Sequence, residues 1–504
     1  MQILWYKRDL RLQDHEPLQS ALERAPQLGP VLAVYLHEPS IIAQPDTAAQ
    51  HSAFLRETLD DLRMEFQSYG HDFLEEVGEA IEVFSSLYKQ TPFSHLWAYQ
   101  ESGTQATYAR DKAVAAWCRA HDVTFTELPQ NGVRRGSEFR ERGFQFREHL
   151  NDACGATFFA PSPGMGFAPL PRPSCTPSAP PAGLGNDKPN RLRGGRTEAL
   201  RHLNAFTQLD KLMAYPNVIS SPNTAPAGCS RLSPYLALGI LSDREVFQLL
   251  NNTVRETSPQ MHPARARALQ NSVQFFADRL NWRCAYLQSF ERQVETETQD
   301  DLSAFNGVRE SELNREWLSA WEQGRTGYPM IDAAMAMLAD TGWINMRMRG
   351  MLVSFAVNEL WLPWRDVGLH LAREFLDYEP GIHWNQLQIH AGSSRLSGPL
   401  TYNAVKQAQD HDAEGIFVRS RLPALRNVPP AYIFEPWRMP RAVQEAAQCV
   451  IGVDYPAPIV PLLAANDAAK KRVSALREGK PQPNLAYVKK RDAELAAKSQ
   501  DSLF

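Results

Sequence analysis

The sequence predicts an α/β domain with a doubly wound parallel sheet, then a linker, then an all-helical domain. Three observations carry this. In the first 130 residues, short runs rich in β-branched and aromatic residues alternate with longer stretches of helical periodicity, the pattern of strands joined by helical crossovers. Nine prolines fall between Pro161 and Pro189, a density that no stable helix or central strand tolerates. Beyond about residue 195 the apolar periods are helical. Boundaries on these changes give an α/β domain at 1–130, a linker at 131–199 and a helical domain at 200–504.

The predicted strands are 2–6 (QILWY), 31–36 (VLAVYL), 95–99 (HLWAY) and 122–127 (DVTFTE). Between the second and third, Gln50 to Tyr69 repeats Phe54, Leu55, Leu59, Leu62, Met64 and Phe66 at roughly helical spacing, as a helix covering a sheet does. Lys7-Arg8-Asp9-Leu10-Arg11 follows the first strand in place of G-x-G-x-x-G, so no Rossmann-type dinucleotide site is indicated there. In the second half, helices are expected at Asp243 to Leu250, Ala264 to Asn281, Pro329 to Leu338 and Met346 to Trp361, with an alanine- and lysine-rich helical end from Ala464 to Phe504. Eight of the eleven tryptophans lie in this half, which fits either core packing or a π-rich cofactor environment.

Composition narrows the class. Of 504 residues, 43% are hydrophobic, 22% charged and 10% aromatic, which excludes fibrous and disordered chains. Lys and Arg total 53 against 57 Asp and Glu, a net charge of -4, so any nucleic-acid contact must use a local basic face. Six cysteines without a C-x-x-C pair argue against a disulfide framework, a zinc ribbon and an iron-sulfur cluster, and no metal site is expected. Charges at Lys7, Arg8 and Asp9 interrupt any leader-like apolar run, and no membrane-length apolar stretch occurs. A soluble, cytoplasmic, monomeric protein is expected.

Several short blocks are candidates for chemistry. Cys229-Ser230-Arg231-Leu232-Ser233-Pro234 precedes an apolar helical run, where hydroxyl residues either cap the helix or help its amides hold a phosphate. Trp282 in Asn281-Trp282-Arg283 either fills core or stacks on a base. Arg347 and Arg349 stand two apart and therefore on different faces of one helix. The apolar run 351–357 beyond Arg349 suggests burial, and a buried arginine needs a carboxylate, for which Asp377 is a candidate.

Taken in order, Ser230-Arg231-Leu232-Ser233-Pro234-Tyr235-Leu236, Trp282-Arg283, Gly327-Tyr328-Pro329 with Asp332-Ala333-Ala334-Met335, Trp364-Arg365 and Glu435-Pro436-Trp437 resemble the photolyase/cryptochrome flavoproteins. The opening Leu4-Trp5-Tyr6-Lys7-Arg8-Asp9-Leu10-Arg11 is similar to the start of the family's antenna domain, so the resemblance spans nearly the whole chain. It implies an antenna-type α/β domain and a helical domain holding FAD. By motif position, Cys229, Ser230, Arg231, Leu232 and Ser233 would contact the diphosphate and Arg283 would line the pocket. Arg349 and Asp377 would form the ion pair beside the flavin, with Glu379 at the family's second acidic position and His383 where an asparagine usually faces the ring. A second, antenna chromophore of unspecified identity is possible.

The implied activity is that of a deoxyribodipyrimidine photo-lyase: photoexcited reduced flavin passes an electron to a pyrimidine dimer flipped out of DNA, and the cyclobutane ring opens. Trp282 matches a position that packs against the dimer. Arg347 and Gln407 match positions touching the DNA backbone or its surroundings, Met346 replaces the usual asparagine before that arginine, and Arg395, Arg419 and Arg421 are further basic candidates.

Departures from the pattern are numerous. Arg279 stands where the family has a dimer-contacting glutamate, which leaves electrostatic stabilisation of a dimer radical anion as its expected role. Gly350 and Ile389 replace a dimer-touching methionine and a second active-site tryptophan. In the family's electron-supplying chain the proximal tryptophan is Leu387, the middle one is kept as Trp364, and the outer one aligns with Ser311; Trp361, Tyr378 and Trp384, close by in sequence, either make another route or serve structural packing. Met346 and Gly350 replace the histidine pair of (6-4) enzymes, which favours cyclobutane chemistry. The alternative is a blue-light photoreceptor that signals without turnover.

Overall fold

The computed structural model describes residues 1–136, 142–154, 156–162, 164–170, 181–395, 401–483 and 490. Its contacts divide the chain into two compact units, Met1–Asn217 with Gly228–Glu297 and Phe375–Ile382, and Val218–Ala227 with Thr298–Glu374 and His383–Phe504.

In the first unit, β1 (Gln2–Tyr6), β2 (Val31–His37), β3 (Leu74–Val77), β4 (His95–Tyr99) and β5 (Thr124–Leu128) form a parallel sheet in the order β3-β2-β1-β4-β5. The register places Gln2 beside Val31 and His95, and Val34 beside Leu74. The crossovers are α1 (Glu16–Glu23), α2 (Ala49–Ser68), α3 (Ala80–Gln90) and α4 (Gln105–Ala120). β1 is buried along its whole length, as a central strand covered on both faces must be, and Ile3 and Trp5 pack with Leu32, Val34, Phe84 and Trp117. All four predicted strands are present, the last starting two residues later than expected. β3 (LEEV) was not expected: two adjacent glutamates mask a strand that is only half-buried because it lies at the sheet edge.

The charged segment after β1 is a structural turn. Asp9 accepts the Lys7 amide (2.6 Å) and pairs with His15 Nε2 (2.8 Å), while His15 Nδ1 caps α1 by accepting from the Leu18 amide. Arg8 Nε donates to the Ala237 carbonyl and Arg11 Nη1 to the Gly239 carbonyl, tying this turn to the segment after residue 229. Gly239 has φ 61, and a Cβ there would stand 2.4 Å from the Arg8 carbonyl oxygen, so both conformation and space require glycine.

Residues 171–180 of the proline-rich stretch lie outside the described ones; its remaining described residues form neither helix nor ladder, only isolated bridges from Phe167 to Val31 and Leu184 to Ala48. The first unit continues through α5 (Asp243–Thr257), capped by Ser242, and α6 (Pro263–Arg292), which is eleven residues longer at its C-terminal end than the periodicity suggested.

The second unit contains α7 (Pro329–Thr341), α8 (Met346–Ser354), α9 (Trp364–Glu374), α11 (Ala404–His411) and α12 (Leu462–Arg477), and most of α10 (Pro380–Ala391). The single helix expected from Met346 to Trp361 is a correction. α8 ends at Ser354, a π-helical turn covers Phe355–Glu359, and Trp361 sits at φ 55. Pro363 lies two residues on, and the residue before a proline is pushed out of the α region, so the helix cannot run through. Of the helical end expected from Ala464, the structure describes α12; residues 484–489 and 491–504 lie outside the described ones.

Candidate functional site

α6 supplies the first element. Pro263 occupies its first turn, and His262 Nδ1 accepts the Ala264 amide at the start. Leu269, Val273, Phe276, Leu280 and Leu287 bury one face, which turns Phe275, Arg279, Trp282 and Tyr286 the other way. Trp282 is 51% exposed and stacks on Tyr286, with ring centroids 5.9 Å apart. Arg279 is exposed, its guanidinium 4.4 Å over the Phe275 ring. The core alternative for Trp282 is therefore removed.

Arg283, next in sequence, points inward. Its Nε donates to Glu379 Oε2 (2.9 Å) and its Nη2 to Oε1 (2.6 Å), and Nη2 also reaches the Leu236 carbonyl (3.1 Å). Both side chains are buried. Burial disfavours the guanidinium's charge, but Glu379 outweighs it, so the pKa rises. Asp377 is half-buried in the same unit, whereas Arg349 belongs to the second and donates its Nε to the Ile344 carbonyl (2.9 Å).

The segment 229–233 leads into a short helical turn, Ser233–Ala237. Leu232, Pro234 and Tyr235 are buried, Ser233 is exposed, and Ser230 Oγ accepts the Leu232 amide at 3.4 Å. Arg231 is held at φ 59, a conformation a side chain rarely adopts without a local requirement. Cys229 is half-buried.

In the second unit, His383 is buried and bonded through Nε2 to the Gly368 carbonyl (2.8 Å). A carbonyl only accepts, so Nε2 carries the proton. Gly368 also makes room for α10: a Cβ there would stand 2.5 Å from both Trp384 Cζ3 and Leu387 Cδ1. Trp364 and Trp384 are buried with centroids 6.0 Å apart at 72°, and Trp364 Nε1 donates to Asp300 Oδ1 (2.9 Å). Trp361 takes no part in that pair. Its ring lies between the Arg309 (4.4 Å) and Arg472 (3.8 Å) guanidiniums. Ser311 is exposed and bonded to the Val308 carbonyl.

Met346 is 57% exposed, Arg347 sits 5.7 Å from the Tyr402 ring centroid, and Gln407 is half-buried on α11. Of the further basic candidates, Arg395 pairs with Asp301, Arg421 with Asp340, and Arg419 donates to the Glu414 and Val428 carbonyls, so much of their capacity is used internally. Periodicity offered no signal for Asp300, Arg309 or Arg472, which act through contacts distant in sequence.

A cavity of about 190 Å³ opens at the carboxyl ends of β1 and β2, bordered by Lys7, Tyr35, Glu38, His51, Arg110 and Tyr378. Arg110 is already engaged by Glu38, Glu101 and Asp111.

Residues 2–143 match the DNA photolyase domain model and residues 276–475 the FAD binding domain of DNA photolyase. The chain is 28% identical to "Cryptochrome DASH" of Gloeobacter violaceus over 92% of this chain and 95% of that one. It is 27% identical to "Deoxyribodipyrimidine photo-lyase" of Salmonella typhimurium over 95% and 99% respectively. The solved cryptochrome of Synechocystis sp. superposes with a TM-score of 0.81 at 24% identity, covering 94% of this chain and 98% of that one. The chain belongs to the photolyase/cryptochrome family.

As a family member it carries the FAD-binding domain, and its donor set suits that dinucleotide. Residues 229–233, leading into that short helical turn, include two serine hydroxyls and one guanidinium, donor chemistry that a diphosphate can use. Among the described residues no helix is long and apolar enough to cross a membrane, and no cluster of His, Cys, Asp or Glu is placed to hold a metal.

Proposed function

We propose that the protein is a light-driven DNA repair lyase that splits cyclobutane pyrimidine dimers. The observation carrying this is the exposed Trp282: an indole left half in solvent and stacked on Tyr286, beside an arginine locked into the interior, suits a base plane arriving from outside. FAD, when bound, supplies the light-driven electron. Cys229, Ser230, Arg231, Leu232 and Ser233 would hold its diphosphate, Arg349 and Asp377 would set the charge beside its ring, and Arg283 with Glu379 would fix the wall behind. His383 would keep its ring orientation and tautomer through the Nε2–H bond to the Gly368 carbonyl. Arg347, Met346 and Gln407 would border the DNA, Arg347 contributing charge to the backbone.

Any second chromophore would find room in the cavity at the sheet's carboxyl edge, the usual position for a ligand in an open parallel sheet. That wall carries Lys7, Arg8 and Arg110 together with Glu38, Glu101 and Asp46, so it has no net negative charge.

The second reading, a photoreceptor, is favoured by full-length similarity to a protein named Cryptochrome DASH. Blue-light treatment of reduced protein with oligonucleotides carrying one thymine dimer, single- and double-stranded, separates the two. Restored thymines support the lyase; a flavin spectrum that bleaches and recovers over intact dimers supports the sensor.

A further inference from the structure

Four side chains on α6, Phe275, Arg279, Trp282 and Tyr286, recur at i, i+4, i+7 and i+11 and so share one face. They pair along it: Arg279 over Phe275 at 4.4 Å, and Trp282 on Tyr286 at 5.9 Å with 30° between the planes. Arg279 and Trp282 are exposed, Phe275 and Tyr286 half-buried, so each pair is an outer plane backed by a ring. Among the described residues no carboxylate forms an ion pair with Arg279, and the adjacent Asp278 instead accepts from Gln274 (3.0 Å).

We propose that this face is a two-plane stacking platform for single-stranded DNA, with the Arg279 guanidinium and the Trp282 indole each receiving one base. It rests on the DNA reading above but needs no photochemistry. A guanidinium on an aromatic ring offers a flat, weakly hydrated cation and no lone pair. It meets a base by its plane and a phosphate by its charge, and contributes no acceptor that would choose among bases.

Access to bare base faces selects the strand form. The receiving planes, Arg279 and Trp282, stand three residues apart, roughly 4.5 Å along a helix axis. In a duplex each base is covered on both faces by its stacked neighbours, so neither plane can be filled without unstacking, whereas a single strand presents uncovered base faces to both. Arg279 thus acts by stacking, which replaces the acceptor role of a glutamate with one that tolerates any sequence.

The test is binding in the dark to undamaged DNA: a labelled thymidine oligomer, an abasic oligomer of equal length and the matching duplex, read by fluorescence anisotropy across a salt series. Wild-type protein should bind the thymidine oligomer roughly tenfold more tightly than the abasic one, and more tightly than the duplex. Arg279→Lys and Phe275→Leu should each weaken that binding by roughly three- to tenfold. Arg279→Lys should keep the salt slope, while Arg279→Gln should lower it by about 0.7, one phosphate's worth on a single strand. Equal affinity for abasic and thymidine oligomers, equal affinity for duplex, or wild-type affinity in Arg279→Lys would each overturn the platform. Because no dimer and no light are used, failure of repair leaves this result untouched; loss of stacking discrimination with repair intact would sink the platform alone.

Discussion

Arg283 and Glu379 meet side-on in the interior of the first unit, 96 residues apart in sequence, with two parallel N–H···O bonds of 2.9 and 2.6 Å. Glu379→Gln keeps the shape but leaves a buried guanidinium without its counter-charge. Removing one partner of such a pair costs about 3–5 kcal/mol. Urea unfolding should show that loss, and the purified variant should retain less FAD. A variant as stable as wild type would mean that the pair does not anchor the segment 375–382 to α6.

A carboxyl buried without charge gives a different pH signature. Glu359, in the π-helical turn, accepts from Asn466 Nδ2 (2.8 Å), and its other oxygen has no hydrogen-bond partner. Burial pushes its pKa from 4.5 up to about 8. A folded-state pKa raised above the unfolded one means that the folded protein keeps the proton longer. The Glu359 contribution to stability is therefore full below about pH 4.5 and is lost as pH rises toward about 8. Glu359→Gln removes the cost, and the variant's melting temperature should exceed wild type's increasingly from pH 5 to pH 8. Parallel melting curves across that range would place the proton elsewhere.

The tryptophans divide by electrostatics. Positive charge on the Trp361 indole is opposed by Arg309, whose pKa burial lowers only to about 10 and which stays protonated at neutral pH. At about 4 Å and an effective dielectric of about 20, one such cation costs about 4 kcal/mol; Arg472 adds to it, offset by Glu312. Trp364 instead donates to the Asp300 carboxylate and contacts Trp384. In FAD-loaded protein, Trp364→Phe and Trp384→Phe should each slow flavin photoreduction roughly tenfold, the equivalent of about 1.4 kcal/mol. Trp361→Phe should leave it unchanged; slowing in that variant alone would reverse the assignment.

What the sequence revealed follows from how far apart the interacting residues lie. Strands such as Gln2–Tyr6 and Val31–His37 are buried and read as largely apolar runs, and α6 shows its period from Ala264 to Asn281. Edge strand Leu74–Val77 carries two glutamates that solvent tolerates, so pattern alone missed it. The motif order exposed Arg283 and Glu379 as site residues but not that they bond to each other, because that pairing depends on segments 96 residues apart. Likewise the break after Ser354 and the Arg309 and Arg472 sandwich on Trp361 arise from packing against distant elements, including α12. Propensity is a local quantity and such contacts are not.

Gly368 carries the last prediction. It lies on α9, its carbonyl accepts His383 Nε2, and the absence of a side chain lets Trp384 and Leu387 approach its backbone. In Gly368→Ala the new methyl would meet two bulky buried groups at 2.5 Å, closer than carbon atoms approach, so α10 must move or Trp384 must turn. Ala favours a helix over Gly by about 1 kcal/mol, which would stabilise α9 if the site were open. Overpacking costs about 1–3 kcal/mol and should prevail. The expected result is a net loss of stability, slower photoreduction through the displaced Trp384, and a change in the histidine NMR signal of His383. Leu387→Ala should relieve half of the crowding and restore part of the stability. A Gly368→Ala protein more stable than wild type, with unaltered His383 resonances, would show that α9 and α10 are not in the close contact on which the Trp364 and Trp384 pairing depends.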